Sequence, residues 1–123
     1  MTTMTKQEIS PEERFFLKLR AEILTECADK GIKILTIHDG AYPDRLRNIP
    51  DPPVVLYYKG TLPNFDDLPA IAVVGTRKAS AYGLQTAKRM GYQIARCGGI
   101  VVSGMAYGID AMAMSGALTA GET

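Results

Sequence analysis

The chain has 123 residues, 46% of them hydrophobic and 22% charged, and fourteen Lys and Arg against thirteen Asp and Glu leave a formal net charge of +1. That length admits one domain of the usual ~100–200 residues but is short for a complete two-faced α/β fold. The apolar fraction excludes wholesale disorder, and the near-zero charge excludes a polybasic, histone-like protein without excluding a local basic patch.

No run of ~18 apolar residues is present, so no transmembrane helix is expected. Met1 to Ser10 is polar and has no apolar signal core, which points to a cytoplasmic protein with no membrane partner. Cys27 and Cys97 lie far apart with no CxxC neighbour, so reduced, partly buried thiols are expected. The single His38 stands outside any HExxH pattern; neither a metal nor a cofactor is expected.

Ser10-Pro11-Glu12-Glu13 reads as a helix start, with a capping serine, proline in the first turn and a glutamate to close a capping box. Phe15, Phe16, Leu19, Ile23, Leu24 and Cys27 follow at helical spacing and predict one apolar packing stripe, with Gly31 as the stop. Ile32 to Ile37 predicts a short strand, His38 to Pro43 a turn, and Asp44 to Ile49 one or two helical turns before the Pro50-Asp51-Pro52-Pro53 break. Val54 to Tyr58 predicts a second strand, dense in β-branched and aromatic residues. Lys59 to Pro69 reads as a loop.

The pattern then changes. Ala70-Ile71-Ala72-Val73-Val74 is an unbroken apolar run of the kind found in strands buried on both faces of a parallel sheet. The loop Gly75 to Ala79 follows, then a helix from about Ser80 to Arg96, Gly98-Gly99, a second buried strand Ile100-Val101-Val102, the loop Ser103 to Gly108, and a helix from Ala106 or Ile109 to about Leu118. This βαβα order predicts an α/β fold with a right-handed crossover. The charge follows the same division. Residues 1–70 hold nine basic and eleven acidic side chains, a net of −2, whereas residues 71–123 hold five and two, a net of +3.

In a βαβ unit, ligands sit at the carboxyl ends of the strands, where these two loops lie. Glycine lets the backbone approach a ligand, a following helix offers free N–H groups, and Arg77 adds a fork of donors suited to phosphate. Anion cradling is the chemistry these residue types suit, a phosphate or a nucleic-acid backbone above all. The same residues also have bland uses: Gly75 and Gly104 as tight turns, Ser80 as a helix cap, Arg77 as a solvated arginine, Asp110 as a cap on the second loop, and Tyr82 and Tyr107 as core or helix surface. Gly75-Thr76-Arg77 is neither GxGxxG nor GxxxxGK[ST], no acid follows Gly75 at about 20 residues, and no nucleophile–base pair or paired carboxylates lie near either loop. A binding protein is expected, not an enzyme.

Four motifs occur in order: Ala72-Val73-Val74-Gly75-Thr76-Arg77, Tyr82-Gly83, Val102-Ser103-Gly104-Met105-Ala106-Tyr107-Gly108-Ile109-Asp110, and Ser115-Gly116-Ala117-Leu118. Upstream stand Tyr42-Pro43-Asp44-Arg45-Leu46 and Asp51 to Gly60. Over residues 32–121 the combination resembles the DprA/Smf DNA-processing family. The resemblance implies a Rossmann-like parallel sheet, single-stranded DNA binding, protection of incoming DNA in natural transformation, loading of the recombinase RecA with displacement of single-strand-binding protein, and no catalytic activity. It implies that Arg77 contacts DNA and that Ser103 to Asp110 line the same pocket. With the bottom-up reading, the expected DNA- or phosphate-binding set is Gly75, Thr76, Arg77, Lys78, Ser80, Ser103, Gly104, Met105, Gly108 and Asp110.

Two departures from the family pattern stand out. Met114-Ser115 replaces a usual His-Arg pair, and the family continues past Thr123 with further strands. Residues 1–31 are therefore read as an N-terminal helical extension and 32–123 as the N-terminal portion of an incomplete Rossmann domain. A marginal monomer, a self-associating homo-oligomer and open strand edges are expected. The alternatives are a nucleotide- or phosphate-ligand-sensing Rossmann-like domain, a phosphoribohydrolase-type enzyme, whose glycine-rich acidic motif is missing, and an inactive fragment.

Overall fold

The structure, a computed structural model, describes residues 9–121. It divides into two compact units. One runs through Tyr42 and takes in Ile49–Leu62; the other comprises Pro43–Asn48 and the chain from Pro63 onward. The N-terminal helix, expected as a separate extension, is grouped with the first two strands.

In the first unit, α1 (Pro11–Asp29) begins at the expected capping box. The Ser10 hydroxyl accepts from the Glu13 N–H at 3.2 Å, and the Glu13 carboxylate accepts from the Ser10 N–H at 3.0 Å, so two otherwise orphaned donors are satisfied. The helix stops at Lys30 and Gly31, the latter in the left-handed region at φ 68°. Strand β1 (Lys33–Thr36) pairs antiparallel with β2 (Val55–Tyr58), Lys33 opposite Tyr58 and Thr36 opposite Val55. Tyr42 is 1% exposed and its hydroxyl donates to the Pro53 carbonyl at 2.6 Å, tying the chain leaving β1 to the chain entering β2.

The expected packing stripe on α1 is only partly used. Cys27 is buried and Ile23 half-buried, while Phe15, Phe16, Leu19 and Leu24 are exposed. Within its unit α1 packs chiefly on β1, a strand of four residues that cannot cover a 19-residue helix. Phe15 and Phe16 stack edge to face with centroids 5.9 Å apart.

The second unit carries the βαβα core. The short helix α2 (Asp44–Arg47) has its first N–H groups held by Asp66, whose carboxylate accepts from Asp44 at 3.1 Å and Arg45 at 3.3 Å. Strand β3 (Ala70–Ala72) pairs in parallel with β4 (Ile100–Val102), with Ala70 opposite Ile100 and Ala72 opposite Val102. Between them runs α3 (Ala81–Arg96), and α4 (Ile109–Thr119) follows β4. The core is Ala95, Val101, Ala113 and Ala117, flanked by Val73, Ile94 and Met114. The two helices meet backbone to backbone. A Cβ on Gly91 would stand 1.9 Å from the Ala113 carbonyl oxygen, and one on Gly116 would stand 1.9 Å from that of Lys88, so glycine is required at both contacts.

The Ala70–Val74 run departs from expectation. Its composition predicts burial on both faces, yet Ile71 is 45% and Val74 72% exposed, and only Val73 is half-buried. The apolar content is that of a central strand, but among the described residues β3 has one strand neighbour, and α3 and α4 pack on β4. Cys97 is likewise exposed, because it caps the C-terminus of α3. No helix among the described residues is long and apolar enough to cross a membrane.

Candidate nucleic-acid interface

The two glycine loops at the carboxyl ends of β3 and β4 are held together by one side chain. Asp110, in the first turn of α4, is 6% exposed. One carboxylate oxygen accepts from the Gly75 N–H at 3.2 Å and the other from the Gly104 N–H at 3.1 Å. Hydrogen bonds from neutral donors to a carboxylate are stronger than neutral pairs, so this is a firm clamp. Its position at a helix N-terminus also suits the helix dipole. Asp110, expected among the ligand-binding residues, thus has both oxygens turned to the protein's own backbone.

A second set of contacts interlocks the loops. The Ile109 N–H donates to the Thr76 carbonyl at 3.2 Å. The first loop thus occupies one of the N–H groups that a helix N-terminus otherwise leaves free. Gly108 precedes α4 at φ 86°, and a Cβ there would stand 2.3 Å from the Thr76 oxygen and 2.8 Å from that of Arg77. Both the backbone angle and the close approach therefore demand glycine. Met105 is the only non-glycine residue at positive φ among the described residues, at 59°, and its side chain is 61% exposed. This curls the second loop so that Gly104 reaches Asp110.

The remaining predicted residues sit on the outside of this clamp. The Thr76 hydroxyl accepts from the Lys78 N–H at 3.2 Å, shaping the tip of the first loop. Ser80 is the N-cap of α3, accepting from the Gly83 N–H at 3.1 Å, which is the capping use of that hydroxyl. Arg77 and Lys78 are exposed and form no ion pair among the described residues. Ser103 is half-buried, and its buried hydroxyl oxygen has no hydrogen-bond partner among the described residues. Met114 and Ser115, in place of the usual His-Arg, are both half-buried on α4, Met114 against the core.

Two residues absent from the predicted set complete the surface. Tyr82, in the first turn of α3, is 79% exposed, and Tyr107, beside Gly108, is 83% exposed. The sequence weighs base stacking for each tyrosine against a place in the core or on a helix surface; the structure exposes both rings, Tyr82 just after the Arg77 loop and Tyr107 within the second loop.

Residues 33–123 match the family model of DNA recombination-mediator protein A. The chain belongs to this family. It is 34% identical over 98% of its length to DNA processing protein DprA of Bacillus subtilis, of which it covers 42%. It is 37% identical over 79% of its length to protein Smf of Synechocystis, of which it covers 25%. The crystal structure of DprA from Streptococcus pneumoniae superposes with a TM-score of 0.72 at 35% identity, over 91% of this chain and 38% of that one. DprA from Helicobacter pylori, a single-stranded DNA-binding protein, superposes at 0.60 and 30% identity over 70% of this chain. The DprA-like Rossmann fold expected from the motifs is thus shown, and the chain spans between a quarter and about two-fifths of the relatives it matches.

Proposed function

We propose that this chain forms the part of a DNA-processing protein that grips single-stranded DNA, with Arg77 and Lys78 on the phosphates and Tyr82 and Tyr107 as stacking faces. The observation that carries the reading is the pairing of unneutralised, exposed cations, on a loop locked from behind by Asp110, with two rings more than three-quarters exposed, Tyr82 at the start of α3 and Tyr107 in the second loop. An exposed guanidinium suits phosphate, and exposed aromatic rings suit sequence-tolerant stacking of ~1–3 kcal/mol per base. The single-stranded DNA binding of the Helicobacter pylori relative supports the same substrate class. A binding role without catalysis, action in the cytoplasm, assembly as a homo-oligomer, and a place in transformation through RecA loading and displacement of single-strand-binding protein belong to this proposal. Family membership supports them.

The test is titration of a labelled oligonucleotide with the wild-type chain and with Arg77→Ala. Loss of a charged contact worth ~1.5–3 kcal/mol weakens binding about ten-fold or more. Equal affinity for the two would remove Arg77 from the site. A thermal shift produced by mononucleotides and not by oligonucleotides would favour the nucleotide-sensing reading instead.

A further inference from the structure

The chain from Ile71 to Ile109 contains no acidic residue, and all five of the basic side chains after residue 70 lie within it. Three of them are on α3, and the helix sorts them. Ala87, Gly91 and Ala95 form its buried face, the one closed against α4. Arg89 lies about 200° round the helix from Gly91. Tyr82, Gln85, Arg89, Gln93 and Arg96 recur at i, i+3, i+7, i+11 and i+14, so they share one face, and all five are exposed. Arg89 and Arg96 have no ion pair among the described residues. The stripe starts at Tyr82, directly after the Arg77–Lys78 loop, and runs about 21 Å to Arg96 at 1.5 Å per residue.

We infer that this outer face of α3 is a second, extended contact for the same single strand, carrying it away from the loops. The inference rests on the single-stranded DNA reading of the loops. Charge complementarity names the occupant. An exposed face with two unpaired arginines and no carboxylate on its helix fits a polyanion, and arginine and glutamine together with an exposed tyrosine fit one whose bases are open.

The test compares wild type, Arg77→Ala, the double variant Arg89→Gln/Arg96→Gln, and a charge control, Arg20→Gln/Lys59→Gln, on oligothymidylates of about 6 and about 20 nucleotides, which bracket common site sizes. All the substituted side chains are exposed, and thermal melts confirm folding. Arg77→Ala weakens both oligonucleotides. Arg89→Gln/Arg96→Gln weakens only the long one, several-fold, and lowers the magnitude of its salt slope by about 1.4, at ~0.7 per phosphate contact on a single strand. The control leaves both unchanged. The inference is overturned if Arg89→Gln/Arg96→Gln leaves the long oligonucleotide's affinity and slope unchanged, weakens both lengths alike, or does no more than the control. In those cases a loss with Arg77→Ala keeps the loop reading intact. A loss with the helix variant and none with Arg77→Ala overturns the loop reading alone, and failure of the wild type to bind either length overturns both.

Discussion

Asp110 is the one acidic side chain between Ile71 and Gly121, and it is buried against two backbone amides instead of facing solvent. A carboxylate amid five cations would normally pair with one of them. Here the fold turns it inward, which leaves the cations free and rigidifies the loops that carry Arg77. Asp110→Ala strands the Gly75 and Gly104 N–H groups and is expected to cost about 1–3 kcal/mol, read from urea denaturation. The Gly75 and Gly104 amide resonances should move together in that variant. Asp110→Asn retains one acceptor oxygen but sets an NH2 donor against the other amide, so its loss should be smaller but measurable. A change confined to Gly104 would reduce Asp110 to a cap on its own loop.

At the scale of elements, the α3–α4 contact decides how closely the two loops can lie. Gly91 and Gly116 let each helix rest on the other's carbonyls. Gly91→Ala would gain roughly 0.5–1 kcal/mol in an isolated helix. In this protein the added methyl meets the Ala113 backbone, which cannot swing aside as a side-chain end can, so the helices must part. Overpacking of this kind costs about 1–3 kcal/mol, and the net change should be a lower midpoint in chemical denaturation. A raised midpoint would show that the helices yield without cost. Sequence pattern located α1 and α3 to within a residue or two, because caps such as Ser10 and Ser80 and breakers such as Gly31 and Gly98 act locally; the start of α4, with no side-chain cap, stayed open between Ala106 and Ile109. The pattern did not show that Gly91 and Gly116 both lie at the contact between the two helices. Both lie in the middle of helical runs, and a glycine there has no local signature separating a helix contact from a weak point.

For the whole molecule, the apolar surface left open is the dominant fact. Ile71 and Val102 on the parallel sheet are exposed, as is Val74 just after β3, and a groove of 360 Å³ is lined by Pro43, Arg45, Leu46, Phe65, Ala70 and Val102. Phe15 and Phe16 on α1 are exposed as well. Open edges and apolar faces favour self-pairing. The melting temperature of the chain is therefore expected to rise with protein concentration, with sedimentation showing species larger than the monomer. A sharp, concentration-independent melt of a monomer would contradict this.

The composition of Ala70–Val74 and Ile100–Val102, the glycine loops after them and the capped helices determined a parallel βαβα unit from sequence alone, since strand hydrophobicity and helix caps are properties of a few neighbouring residues. The order of the motifs likewise determined the family and singled out Arg77. Tertiary structure decided the rest. It extended Asp110 from a cap on its own loop, also counted in the binding set, to the clamp between backbone amides 35 and 6 residues away. It gave the Ile109 N–H to Thr76, set both tyrosine rings in solvent, and left β3 uncovered on its outer side. Each of these depends on which distant segment arrives opposite a residue. A buried acceptor takes whichever donors packing brings within reach, and an apolar strand is buried only where neighbours cover it.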